Sequence, residues 1–324
     1  MSGEWWRRGT NPGVSQSGIS IGGAVHKYID ARKEEDRSDG WHVSSLYHTC
    51  PRELAMRAVL SGTMPPKRKP FDARLLSRFD VGTALHRWWQ DEYLGPAGIL
   101  LGEWRCTGCR DVVSGVMPSS SHGCSDRARW VYRESRVEYR EDGWTRPIVG
   151  RFDGEIEGDP PEGETDRVGV LEIKTASFMP IKEISGDYMW QVQVYMHLRG
   201  RKWAKFLFVD PACTYRNDAD QSHDLACQEI LVRYDPRYWE LAVARVRECE
   251  ALVARMSGGA YAAAGADFAW PEKICLDKQC RTAQRCVFKD RCFDAVEMAQ
   301  VQLRIREGRD PVTGSAMAQM PRGT

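Results

Sequence analysis

One short run limits the architectures open to this chain more than any other. Residues 168–173 (VGVLEI) are almost continuously apolar, yet they include Glu172, and Lys174 follows two positions later. A strand that is apolar on both sides must be covered on both sides, whereas a half-solvated strand alternates polar and apolar residues. A helical stretch, 189–198, and a second apolar run, 203–209 (WAKFLFV), come next. Buried strand, helix, buried strand predicts an α/β core around a central mixed sheet. The period of two in a strand puts Glu172 and Lys174 on one face and Ile173 on the other.

The rest of the chain divides around these strands. Residues 1–20 are rich in Gly, Ser and Trp and read as a flexible arm, and 21–97 read as helical. Within the helical part, apolar residues recur at helical spacing over 24–33, over 44–60 and in a long helix carrying Leu75, Leu76, Phe79, Val81, Leu85 and Trp88. A bend is expected at Gly82, and 62–70 (GTMPPKRKP) is a basic loop. Residues 98–260 hold the core. Strands are expected at 99–105, 130–139, 145–156 and 229–234, a hairpin loop at 158–166 and a long amphipathic helix at 238–256. A cysteine-rich segment, 261–300, and a turn-forming tail, 301–324, complete the chain.

Asp153, in GRFDGEIE, precedes Glu172 by 19 positions, and a hairpin through 158–166 would bring the two carboxylates together. Adjacent buried carboxylates repel, and a hard divalent cation such as Mg²⁺ or Mn²⁺ relieves them. Such an ion can activate water and polarise a phosphodiester, and Lys174 can orient that water or stabilise the developing charge. Taken alone, Glu-x-Lys reads more readily as a surface ion pair. Two further groups accompany it in order: His86, on a helix in 82–86 (GTALH), and Gln191 with Tyr195, one helical turn apart in 191–195 (QVQVY).

Together these four motifs resemble the RecB-like branch of the PD-(D/E)XK nucleases: Gly82 to His86 as G-x-x-x-H, Gly150 to Asp153 as G-x-x-D, Glu172 to Lys174 as E-x-K, and Gln191 to Tyr195 as Q-x-x-x-Y. The resemblance covers residues 43–295. It implies a restriction-endonuclease-like core with a helical N-terminal part and a C-terminal iron–sulfur-bound segment, as in CRISPR-adaptation and AddB-type nuclease domains. It implies metal ligation by His86, Asp153, Glu172 and the Ile173 carbonyl, with Lys174 acting on the water. Gln191 and Tyr195 are implied to hold the DNA backbone or brace the site. The implied activity is Mg²⁺- or Mn²⁺-dependent hydrolysis of DNA, by an exonuclease or end-processing enzyme acting on single strands or duplex ends in recombination, repair or phage DNA metabolism. The alternative is a catalytically weak DNA-binding scaffold in a recombination or CRISPR-adaptation complex. No P-loop is present, so a helicase or recombinase would be a separate partner.

Cys275, Cys280, Cys286 and Cys292 crowd into 18 residues, which suits tetrathiolate zinc or an iron–sulfur centre. The resemblance favours a 4Fe-4S cluster held by Cys50, Cys280, Cys286 and Cys292. The spacing departs from the family in one respect: five residues separate Cys280 from Cys286 where two are usual, and Cys275 competes for the place. A second group, Cys106, Cys109, His122 and Cys124, falls within a possible zinc-binding insertion at 104–126 and has ligands for structural Zn²⁺.

Lys and Arg total 46 against 45 Asp and Glu, so binding to nucleic acid has to come from a local patch. Arg127, Arg129, Arg133, Arg136, Arg140, Arg146 and Arg151 interleave with Trp130, Tyr132, Tyr139 and Trp144, a pattern suited to phosphate contact and base stacking. Nearby acidic residues make a salt-bridged sheet face the competing reading. Trp5, Trp6, Arg7 and Arg8 could contact DNA or protein. No apolar run approaches the ~18–20 residues of a membrane span, and the N-terminus lacks a signal-peptide apolar stretch. A cytoplasmic protein with no membrane partner is the expectation.

Overall fold

The computed structural model describes residues 39–60, 73–119, 123–213 and 226–257. The arm, the basic loop, the helix expected at 24–33, His122 and the four C-terminal cysteines lie outside them. Among the described residues no helix is long and apolar enough to cross a membrane.

The described residues form an α/β fold with a central mixed sheet and flanking helices. The ten strands are β1 (Trp41–His42), β2 (Leu100–Cys106), β3 (Val112–Gly115), β4 (Trp130–Arg133), β5 (Ser135–Tyr139), β6 (Ile148–Phe152), β7 (Gly154–Glu157), β8 (Val168–Thr175), β9 (Trp203–Val209) and β10 (Cys227–Arg233). Helices are α1 (Val43–Leu46), α2 (Pro51–Leu60), α3 (Ala73–Trp88), α4 (Gly186–Arg199) and α5 (Pro236–Ser257), with a π-helical turn (Trp89–Leu94) after α3. The main sheet runs β10-β9-β8-β7-β2-β3, with β4 also on β2, and a smaller sheet runs β1-β6-β5. β8 and β9 are parallel, joined through α4, while β7–β8 and β9–β10 are antiparallel.

The two apolar runs are buried on both faces, as their composition requires. Val170, Ala204, Phe206 and Phe208 pack into one cluster with α4 and α5, whereas Leu171, Ile173, Trp203, Leu207 and Val209 join the other, with Trp89 and Trp104. α5 offers Ala242, Val243, Val246, Cys249 and Val253 to the first cluster at helical spacing. Its Glu250 also accepts from Trp41 Nε1 at 2.8 Å and from the backbone N–H of Thr145 at 2.9 Å.

Several expected boundaries change. The helix expected over 44–60 is two helices, because Pro51 has no N–H to donate and restricts Cys50, so Pro51 starts α2 instead of continuing α1. α3 passes through Gly82 unbroken, and the irregularity falls in the π turn instead. The run 130–139 is two strands, β4 pairing with β2 and β5 with β6. The run 145–156 is likewise split between β6 in the small sheet and β7 in the main one. β3, unexpected from a cysteine-containing loop, pairs with β2.

Candidate active site

The second split positions a functional group. Phe152 ends β6, Gly154 starts β7, and Asp153 occupies the bend where the chain leaves one sheet for the other. Register pairs Gly154 with Leu171, and one step further along the same antiparallel β7–β8 ladder puts Asp153 opposite Glu172, as the hairpin expectation required. α3 delivers His86 in its last turn, and α4, capped by the Ser185 side chain at Tyr188 N–H, delivers Gln191 and Tyr195.

The structure brings these residues together. His86 Nδ1 lies 3.2 Å from Asp153 Oδ1, and the Ile173 backbone N–H donates to Asp153 Oδ2 at 2.7 Å. Lys174 Nζ bonds Glu172 Oε1 from the same strand face. Gln191 Nε2 donates to the Tyr195 hydroxyl at 3.1 Å. Tyr195 is buried, and burial first, then the charge of Glu172, raises its pKa. A Cβ on Gly150 would stand 2.5 Å from Tyr195 Cε1, so the motif glycine makes room for the motif tyrosine.

The charges are unevenly held. Burial works against ionisation of Asp153, but the His86 hydrogen bond and charge, then Lys174, keep its pKa below the usual carboxylate value. Burial also opposes the His86 cation, and Asp153 outweighs it, so His86 is raised. Glu172 is pushed up to about 7, chiefly by burial, with the Asp153 charge adding to it and Lys174 opposing. Lys174 is raised in spite of burial because Glu172 and Asp153 hold its charge. Glu172 Oε2 is buried without a hydrogen-bond partner. An orphaned carboxylate oxygen near a second carboxylate and an imidazole has the donor chemistry of a hard divalent-cation site, though the three ligand atoms do not all close to within 4.8 Å of one another as the sulfurs of Cys106, Cys109 and Cys124 do.

Two participants were not foreseen. Gln90, buried on the π turn, donates to the Asp153 carbonyl at 2.7 Å and so steadies the bend. Glu155 accepts from Arg199 Nε at 3.0 Å and Arg201 Nε at 2.8 Å, tying β7 to the end of α4. Neither follows from spacing, since a glutamine in a π turn carries no distinguishing pattern and the arginines lie more than 40 residues from Glu155.

The arginine run does not make the expected stacking surface. Trp130 and Trp144 are buried, and the Tyr132 hydroxyl donates to the Leu101 carbonyl. Arg129 pairs with Glu92, Arg133 with Glu103 and Arg136 with Asp39, while Arg140 bonds the Trp144 carbonyl. The rings serve the core and most of the guanidinium groups serve structure. Arg151 is exposed in a cleft of about 550 Å³ that also includes His42, Arg136, Gln191 and Tyr195.

Of the cysteines, Cys50 is buried at the start of α2, and the Cys249 thiol points to the Pro51 carbonyl at 4.0 Å. Cys106, Cys109 and Cys124 bring their sulfur atoms within 4.8 Å of one another.

The sequence matches no protein-family model and no curated protein. In fold it is similar to an alkaline exonuclease from Laribacter hongkongensis, with 15% identity over 72% of this chain and 97% of that one and a TM-score of 0.38. The same exonuclease in complex with dAMP gives 16% identity over 70% and 95%, with a TM-score of 0.38. A phage-related exonuclease from Haemophilus somnus 129PT gives 12% identity over 67% and 94%, with a TM-score of 0.28.

Proposed function

We propose that this protein is a Mg²⁺- or Mn²⁺-dependent deoxyribonuclease of the RecB-like PD-(D/E)XK type, acting on single-stranded DNA or duplex ends in recombination, repair or phage DNA metabolism. The observation that carries the reading is the meeting of Asp153 and Glu172 at the crossing between two sheets, with Glu172 Oε2 buried and unpartnered and Lys174 on the same face. His86, Asp153, Glu172 and the Ile173 carbonyl would hold the divalent ion. Bound there, the ion supplies an activated water and charge neutralisation at the phosphate.

The chain's own groups do the rest. Lys174 would hold the attacking water or meet the charge that grows on the phosphoryl oxygens as the new P–O bond forms and the ester bond breaks. The Ile173 N–H and the Gln90 amide fix the Asp153 carboxylate and backbone before substrate arrives. Gln191 and Tyr195 brace the small sheet against α4, and Arg151, in the neighbouring cleft, would take a backbone phosphate. A 4Fe-4S cluster held by Cys50, Cys280, Cys286 and Cys292 completes the reading, with three of the four ligands outside the described residues.

The test is cleavage of end-labelled single- and double-stranded DNA with Mg²⁺ or Mn²⁺ by anaerobically purified protein, beside Glu172→Ala and Asp153→Asn. Each variant should fold and lose activity by on the order of 10²–10³-fold. DNA that is bound but uncut by the wild type, or cleavage that survives both substitutions, would return the protein to the scaffold reading.

A further inference from the structure

We propose that Cys106, Cys109 and Cys124 hold a Zn²⁺ ion that fastens the β2–β3 turn to the segment leading into β4. Their three sulfur atoms lie within 4.8 Å of one another, and Cys106 Sγ and Cys124 Sγ are 3.4 Å apart. Thiolates around tetrahedral zinc, at ~2.3 Å from the metal, stand ~3.8 Å from each other, so the spread of these sulfurs matches a metal-bound set.

Backbone hydrogen bonds build this arrangement. Cys106 ends β2, its N–H donates to the Asp111 carbonyl at 2.9 Å, and the Arg110 N–H donates back to the Cys106 carbonyl at 3.0 Å. The reversal requires a left-handed conformation at Arg110, with φ of 69°, which an L side chain adopts only where its surroundings impose it. The second strap is tied to the same turn: Thr107 N–H donates to the Arg129 carbonyl at 2.9 Å, and Arg129 N–H donates to Thr107 Oγ1 at 3.0 Å. Gly108 faces the third sulfur, and a Cβ there would stand 2.6 Å from Cys124 Sγ.

Apolar burial does not explain the cluster. Cys106 is buried, but Cys109 and Cys124 are exposed. Two exposed thiols directed at a third from separate turns, across a gap that glycine keeps open, have a ligand's geometry. On binding, the thiols give up their protons and a nitrogen or oxygen donor completes the tetrahedron. The ion's role is structural. Cys106 lies at one end of β2, and the other end pairs Leu100 with Ile156 and Leu101 with Glu155, so the knuckle braces the strand that lines the Asp153 bend from its far end.

The inference does not depend on nuclease activity, because its readout is metal. Full-length protein purified without chelator should carry about one zinc per chain, in addition to any iron. Cys109→Ser and Cys124→Ser should each lower zinc roughly tenfold or more, while serine at Cys275, Cys280, Cys286 and Cys292 together should leave it in place. Should those variants fail to fold, alkylation of the wild type followed by peptide mass analysis gives an independent answer. Cys106, Cys109 and Cys124 should be protected until a chelator is added, and Co²⁺ should then produce thiolate charge-transfer and tetrahedral visible bands. Zinc lost only with the C-terminal cysteines, a Cys106–Cys124 disulfide in freshly isolated protein, or ready alkylation of all three thiols before chelation would each overturn the assignment.

Discussion

Gly150 has no room for a side chain. A Cβ there meets Tyr195 Cε1 at 2.5 Å, and Tyr195 cannot easily retreat, because its ring packs on Phe152 at 5.8 Å and its hydroxyl takes the Gln191 amide. Gly150→Ala should therefore destabilise the fold by about 1–3 kcal/mol through overpacking. Tyr195→Leu should relieve part of that cost, so a double-mutant cycle in urea should show coupling of about 1 kcal/mol or more. Strictly additive losses would mean that the ring is not what the glycine makes room for. This pairing also explains what was legible at the scale of residues. His86, Asp153, Glu172, Lys174, Gln191 and Tyr195 stand out in the sequence because their chemistry and order resemble a family pattern. Gln90 was not found, because a glutamine on a helix has no spacing that distinguishes a buried backbone contact from a solvated face.

Among the elements, β7 is short and owes its placement to more than ladder hydrogen bonds. Glu155, largely buried on it, is held by Arg199 and Arg201 at the end of α4, and although burial works against its charge, these two partners keep its pKa below the usual 4.5. Its folded pKa is lowered, so the stabilisation is complete above the unfolded value and is lost as pH falls through the folded one. Glu155→Gln should cost about 1–3 kcal/mol near neutral pH, and the gap between wild type and variant should close as the solution is acidified below about pH 4.5. A gap that stays constant with pH would assign the loss to packing instead of charge. Strand runs were legible where both faces are apolar, as in β8 and β9. They were misread where one unbroken run serves two sheets: nothing local in 130–139 or 145–156 records that the partner strand changes midway, since pairing is decided by residues far along the chain.

At the scale of the molecule, α5 links the α/β core to the part of the chain that carries the C-terminal cysteines. It packs against α2, its Arg245 donates to the Thr49 carbonyl at 3.2 Å, and its Cys249 lies against Pro51, so the helix that ends at Ser257 runs directly beside Cys50. A buried cysteine in that position has two explanations. It can be a small apolar filler between helices, in which case Cys50→Ser costs about 1 kcal/mol, as burial of one extra hydroxyl does, and leaves iron content alone. Under the proposed cluster it is the distant fourth ligand, and the same substitution removes a crosslink between the two ends of the chain. Anaerobically purified Cys50→Ser should then lose iron and acid-labile sulfide roughly tenfold, and its thermal midpoint should fall by more than a filler would allow, because metal binding is folding energy in a site assembled from distant segments. Cys249→Ser, its neighbour on α5, supplies the control: it disturbs the same packing without removing a proposed ligand, and should keep its iron. Loss of iron from both variants would trace the effect to packing, and retention in both would confine the cluster to the C-terminal cysteines.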